Sequence, residues 1–160
     1  MRLFRHYAEV PVEARGAVVA LGNFDGVHRG HQAVIAEAGR RAQALGAARA
    51  VLTFEPHPRE FFNPAQPPFR LTPFRIKVRQ LEAMGLDCLF VLPFNAELAT
   101  KSAEAFVVEV LSQGLDVAHV VVGYDFVFGQ GRRGNAELLA DLGKLHGFGV
   151  TSVPAVASET

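Results

Sequence analysis

A single cysteine, Cys88, stands in a chain of 160 residues, which excludes an internal disulfide and a Cys-rich zinc site. Net charge is lacking too. Sixteen basic residues balance sixteen acidic ones, so no global positive field exists to hold nucleic acid or an anionic membrane, and any bound anion must be held by a local site. No apolar run approaches the roughly 18 residues of a membrane span. The opening Met1-Arg2-Leu3-Phe4-Arg5-His6 lacks the apolar stretch of a signal peptide. Internal repeats, low-complexity tracts and interdomain linkers are missing as well. These absences point to one domain over residues 1–160, in a reducing, cytoplasmic compartment. What is present is a composition of 49 % hydrophobic and 20 % charged residues, a balance that buries a full core and argues against disorder.

Apolar runs of strand length alternate with longer segments of helical period. Strands are expected at Ala17 to Leu21, Ala50 to Phe54, Cys88 to Leu92, Val117 to Val122 and around Val150 to Val153. Helices are expected over His31 to Leu45, from an N-cap at Thr72 to Met84, over Ser102 to Leu111, and from about Asn135 to His146. The stretch between Glu55 and Arg70 holds five of the nine prolines and must be loop. Five strands separated by four helices predict an α/β fold, Rossmann-like, with a mainly parallel five-stranded sheet and helices on both faces. Right-handed crossovers gather the loops that follow the strands along one edge, where such sheets bind ligands.

One of those loops is dense in chemistry. Gly22-Asn23-Phe24-Asp25-Gly26-Val27-His28-Arg29-Gly30-His31 leaves the first strand and enters the first helix. Its glycines, at 22, 26 and 30, let backbone approach a ligand closely. The free N–H groups of the following helix, with its dipole, favour an anion such as phosphate, and His28 and His31 add donors at the same point. A strand-to-helix turn with capping or solvated histidines is the competing reading. A zinc site is poorly supported by two histidines three apart with no third ligand nearby. No Gly-Lys-Ser/Thr follows the glycines, so the loop is not a Walker P-loop.

Two further segments stand out. Phe54-Glu55-Pro56-His57-Pro58, with Phe61 and Phe62 beyond, offers rigid backbone and aromatic faces to a planar apolar ligand. Phe61 and Phe62 also suit core positions beneath the loop. Gly129-Gln130-Gly131-Arg132-Arg133-Gly134 spells the dinucleotide fingerprint G-x-G-x-x-G, but six residues beyond the expected strand end and in the fourth crossover rather than the first. These glycines read as a turn supporting a ligand site, with Arg132 either a phosphate contact or an exposed arginine.

His28-Arg29-Gly30-His31 resembles the His-x-Gly-His signature of the nucleotidylyltransferase superfamily. The string from Gly22 to His31 resembles the adenylyltransferase module of prokaryotic bifunctional FAD synthetases, the riboflavin kinase/FMN adenylyltransferases. Phe54 to Phe62, the Arg70-Leu71-Thr72 to Lys77 segment, the Gly85-Leu86-Asp87 turn, and Val122-Gly123-Tyr124-Asp125-Phe126-Val127-Phe128-Gly129 with Arg132 and Gly134 are similar to the same family. The resemblance implies transfer of AMP from ATP to FMN, giving FAD and pyrophosphate, with Mg²⁺ bridged mainly by the phosphates and no dedicated protein metal site. It implies that His28, His31, Asn23 and Asp25 serve the chemistry, that Gly22, Phe24, Gly26, Gly30 and Arg132 hold ATP phosphates, and that Pro56, Pro58, Phe62, Asp125 and Phe128 line the flavin site. No nucleic acid or membrane partner is implied.

The chain departs from the family pattern in two places. Val127 stands where the family usually has arginine, which removes a cationic contact. The family's second phosphate signature, Ser-Ser-Thr followed shortly by arginine, is not found among these residues, nor is the riboflavin kinase domain that usually follows. The expectation is therefore an adenylyltransferase module cut before half its phosphate clamp. Other readings stay open: another His-x-Gly-His nucleotidylyltransferase, or a non-catalytic fragment that holds ATP or FMN. An NAD-dependent oxidoreductase would rest on the misplaced fingerprint alone.

Overall fold

Every strand pairing in the main sheet is parallel, as a computed structural model of the chain describes for residues 1–8, 10–24, 29–55, 62 and 74–155. The strands are β1 (Arg2–Phe4), β2 (Val18–Leu21), β3 (Arg49–Glu55), β4 (Cys88–Pro93), β5 (His119–Gly123) and β8 (Gly149–Val153). Their order in the sheet is β1-β4-β3-β2-β5-β8. Parallel neighbours cannot be joined by hairpins, so each step needs a crossover. From β2 onward the main helices supply them: α1 (Arg29–Leu45), α2 (Phe74–Ala83), α4 (from Ala103–Ala105 into Phe106–Gly114) and α5 (Ala136–His146).

Side chains on a strand alternate between faces, and the two cores divide the sheet on that period. Val19 and Leu21 of β2, Leu52 and Phe54 of β3, Phe90 and Leu92 of β4, and Val120 and Val122 of β5 face α4 and α5. Their alternates, Val18, Ala20, Val51, Leu89, Val91 and Val121, pack with Val34, Ile35, Ala38 and Ala42 of α1 and Leu81 of α2. Both faces are thus covered, in agreement with the expected Rossmann-like architecture.

The sheet has six strands where five were expected. The additional one, β1, is a three-residue edge strand whose first two residues are exposed. It carries too few residues for a period to register, and only its pairing with β4 defines it. The helix expected over Ser102 to Leu111 also takes a different form. Ser102 Oγ caps it by accepting from Ala105 N–H at 3.0 Å, but from Phe106 to Gly114 the helix is π-wound. A short α3 (Ala96–Ala99), capped by Asn95, was not anticipated. The expected N-cap Thr72 and Pro73 lie outside the described residues, and α2 is described from Phe74.

The glycine-rich stretch after β5 folds back as a small antiparallel hairpin, β6 (Val127–Phe128) with β7 (Gly134–Asn135). It hands the chain to α5 through Asn135, whose Oδ1 accepts from Leu138 N–H at 2.8 Å. Gly147, left-handed at φ +87°, closes the far end. Asn135→Ala removes the cap and is expected to lower stability by about 1 kcal/mol, read as a lower urea midpoint with an unchanged m-value.

Candidate active site

The order of the strands reverses direction once. From β2 the chain steps through α1 to β3 and then outward to β4, and α4 brings it back across to β5, on the other side of β2. A crevice opens at such a switch, outside the carboxyl ends of the two diverging strands. The loop after β2 and the loop after β5 flank it, and these are the two glycine loops singled out above.

The β2 exit is built around Phe24. Its φ is +51°, a left-handed conformation that costs a non-glycine residue about 1–2 kcal/mol. Burial of the ring compensates: Phe24 is 2 % exposed, inside the α1 core. The ring folds back under Gly22, where a Cβ would lie 3.3 Å from it. Phe24 also meets the His31 ring edge-on, with centroids 5.2 Å apart at 76°. The side chain of Phe24 therefore orients His31 from within the core, and only its backbone faces outward chemistry. Arg29, Gly30 and His31 form the first turn of α1.

Asn23 joins this turn to the interior. Its carbonyl accepts from Thr53 Oγ1 at 2.9 Å and from Lys77 Nζ. Its own amide oxygen is buried with no hydrogen-bond partner among the described residues. Buried acceptors are normally satisfied, and Asn23 lines a cavity.

That cavity is about 680 Å³, within the range of small-molecule sites. Six phenylalanines wall it: Phe54, Phe62, Phe94, Phe106, Phe126 and Phe128. Phe126 and Phe128 stack at 5.7 Å and 14°. Phe106 tilts against both Phe128 and Phe54, at 5.7 and 6.3 Å. Phe94 makes edge contacts with Phe54 and Phe62, each at 5.9 Å. Rings so arranged present a pocket shaped for a large planar apolar group.

Two cations also line it, Lys101 and Arg132. Lys101 is held by Glu109 at 2.8 Å and lies 3.9 Å from Glu97. The bond to Glu109 raises its pKa above the ordinary lysine value, so it is fully charged at neutral pH. Arg132 is exposed, at φ +56°.

The structure brings Asn23, Phe62, Phe128 and Arg132 to this one cavity. Gly22, Phe24, Gly30 and His31 lie at the adjoining turn and helix start. Asp125 is exposed, beside Gly123 and not among the lining residues. Asp25, Gly26, His28, Pro56 and Pro58 lie outside the described residues. Sequence reasoning missed Phe94, Phe106 and Lys101 as lining residues. Phe106 reads in sequence as one more member of an apolar helix stripe, and no local pattern marks the other two.

The glycines of the false fingerprint have separate structural duties. Gly129 has φ +81°, and a Cβ there would lie 2.8 Å from the Ala103 backbone nitrogen. Gln130 N–H donates to Lys101 C=O at 2.8 Å, docking the loop on the start of α4. Gly131 also has positive φ, +69°, but nothing within 3.7 Å of an added Cβ, its nearest neighbour being Arg133 Nε at 3.8 Å. Gly131→Ala is expected to cost about 1 kcal/mol, the conformational term alone. Gly129→Ala adds overpacking against backbone and is expected to cost about 3 kcal/mol. Thermal unfolding of the two variants side by side checks the ranking.

The sequence matches the FAD synthetase family over residues 10–160. It is 43 % identical over 156 residues to a bifunctional riboflavin kinase/FMN adenylyltransferase of Pseudomonas fluorescens, covering 98 % of this chain and 50 % of that one. It is 37 % identical over 155 residues to the protein of the same description from Escherichia coli K12, covering 95 % and 49 %. The chain thus spans about half the length of the curated relatives it matches. Its fold superposes on the crystal structure of a macrolide-efflux protein from Streptococcus pneumoniae with a TM-score of 0.80 at 25 % identity, over 98 % of this chain and 50 % of that one. Among the described residues, no helix is long and apolar enough to cross a membrane.

Proposed function

The chain belongs to the FAD synthetase family, and from that premise we propose that it transfers AMP from ATP to FMN, forming FAD and pyrophosphate. The observation that carries this reading is the shared wall. Asn23, in the turn before α1, also lines the phenylalanine cavity, so a site for a planar ring adjoins a site for phosphate. FMN needs the two side by side.

In the reaction a phosphate oxygen of FMN attacks the α-phosphorus of ATP. The new P–O bond forms as the bond from the α-phosphorus to the α,β-bridging oxygen breaks, and pyrophosphate leaves. Attacking and leaving groups are both anionic, so the protein's task is in-line alignment and charge neutralisation, with no protein nucleophile. The phenylalanines hold the isoalloxazine, Phe62 and Phe128 among them, with Pro56 and Pro58 assigned to the same role. The α1 N-terminus and His31 donate to phosphate oxygens where charge builds on the leaving group. His28, the partner imidazole of the motif, is assigned the same donor role. Arg132, at the cavity mouth, pairs with phosphate.

Asn23 Oδ1 fits a divalent cation carried by phosphate. It is a hard, neutral oxygen, buried without a partner among the described residues. Mg²⁺ characteristically takes one or two protein oxygens and leaves the rest of its shell to phosphates and water. Asp25 is assigned to the same cation. When bound, Mg²⁺ supplies neutralisation of the triphosphate charge. The reading concerns adenylyl transfer alone and assigns no kinase step to residues of this chain.

Incubation with FMN, ATP and Mg²⁺ is expected to yield FAD and pyrophosphate in equal amounts. Formation of neither, with FMN and ATP both recovered, overturns the assignment. His31→Ala is expected to lower turnover by about 10²-fold or more, the usual effect of losing one preorganised donor. Turnover near that of the parent chain removes His31 from the mechanism.

A further inference from the structure

Beneath the turn that follows β2 lies a charged group the reaction above does not employ. Lys77 is on α2, one of the helices covering the α1 side of the sheet, and it is 4 % exposed. An ammonium has three donors and no acceptor, and burying it is tolerable only where those donors are satisfied. Lys77 Nζ donates to the Asn23 carbonyl and to Thr53 Oγ1 at 3.0 Å. Thr53, fully buried in β3, donates its hydroxyl to the same carbonyl at 2.9 Å. Three elements, the exit of β2, β3 and α2, therefore close a triangle of hydrogen bonds around one backbone oxygen.

The position of that oxygen matters for the turn. The Asn23 carbonyl and the Phe24 N–H are two ends of one planar peptide, and in a trans peptide they point in opposite directions. Drawing the oxygen inward onto Lys77 turns the N–H away from the ammonium. The same plane leads into the left-handed Phe24, at φ +51°, whose ring packs on His31. A rotated peptide would release the Phe24 conformation, the His31 contact and the aim of the Asn23 side chain together.

We propose that Lys77 and Thr53 are positioning residues of the phosphate site. They lock the Asn23–Phe24 peptide, so that the Asn23 amide oxygen and the Phe24 N–H stay aimed at the polyphosphate end of the nucleotide. Both act through Asn23 and neither is a catalytic residue. The proposal rests on the adenylyl-transfer reading and assigns the nucleotide half of the site to this buried triangle.

The test is calorimetric titration of the chain with ATP and Mg²⁺, and separately with FMN. It compares the unaltered sequence with Thr53→Val, Lys77→Met and Lys77→Arg. Thr53→Val keeps the shape of the side chain and deletes only the hydroxyl, so it reports even where Lys77→Met fails to fold. The expected result for Thr53→Val is an ATP Kd raised about tenfold, the scale of one lost hydrogen bond to a charged group, with the FMN Kd within about twofold of the parent. Lys77→Met is expected to weaken ATP at least as much, and Lys77→Arg, which keeps charge and donors, to recover most of the loss. Unchanged ATP affinity in a folded Thr53→Val overturns the proposal. So does an equal loss of ATP and FMN, which marks a general loosening of the core. If the unaltered chain binds neither ligand, the adenylyl-transfer reading falls and this inference with it. If it binds both, only the role of the triangle is at stake.

Discussion

Six parallel strands can be joined only by crossovers, and that constraint shapes everything else in the molecule. From β2 onward each crossover lays a helix against the sheet, so both faces are covered and the central strands carry near-continuous apolar runs such as Val18–Leu21 and Cys88–Leu92. The crossovers run one way from β2 to β4 and the other way from β5 to β8. At the change of direction, the loops after β2 and β5 have no helix between them. The crevice is a geometric residue of the winding, and the chemistry-bearing residues are the ones that happen to leave strands there. This is why Asn23, from the loop after β2, lines the same cavity as Phe126 and Phe128, from the loop after β5.

The legible part of the fold was the part governed by period. The five expected strands and the α1 and α5 helices follow from apolar spacing. The edge strand β1 escaped because three residues carry no period, and its identity lies in hydrogen bonds to β4. The π-wound stretch escaped for a related reason. Phe106, Val107, Val110 and Leu111 satisfy a 3.6-residue stripe as well as a wider winding, so sequence gives no ground to prefer one.

The site was legible in a different measure. Glycine and histidine spacing marked the β2 exit, because close approach and anion binding demand those residue types at adjacent positions. The cavity was marked only in part, at Phe62 and Phe128, because its walls come from separate segments and a phenylalanine that lines a pocket obeys the same pattern as one that fills a core. Only packing distinguishes Phe106, tilted over Phe54 and Phe128, from Val107 beside it. Lys77 illustrates the opposite difficulty. A lysine on a helix reads as solvated surface, and nothing local shows that the neighbouring strand ends supply a carbonyl and a hydroxyl to bury it.

A chain with no net charge has to make a phosphate site such as the one proposed by placement. Lys101 shows how little an available cation contributes by itself. Glu109 holds it at 2.8 Å and Glu97 lies near, so its field is largely spent within the protein before a ligand arrives. Lys77 differs in place, since it is buried, and its bonds to the Asn23 carbonyl and the Thr53 hydroxyl fix the turn itself. The partial positive charge of a helix N-terminus, here that of α1, needs no net charge on the chain. The proposed phosphate site then rests on a helix terminus and on a turn held in one orientation, and neither depends on the balance of acid and base over the whole chain.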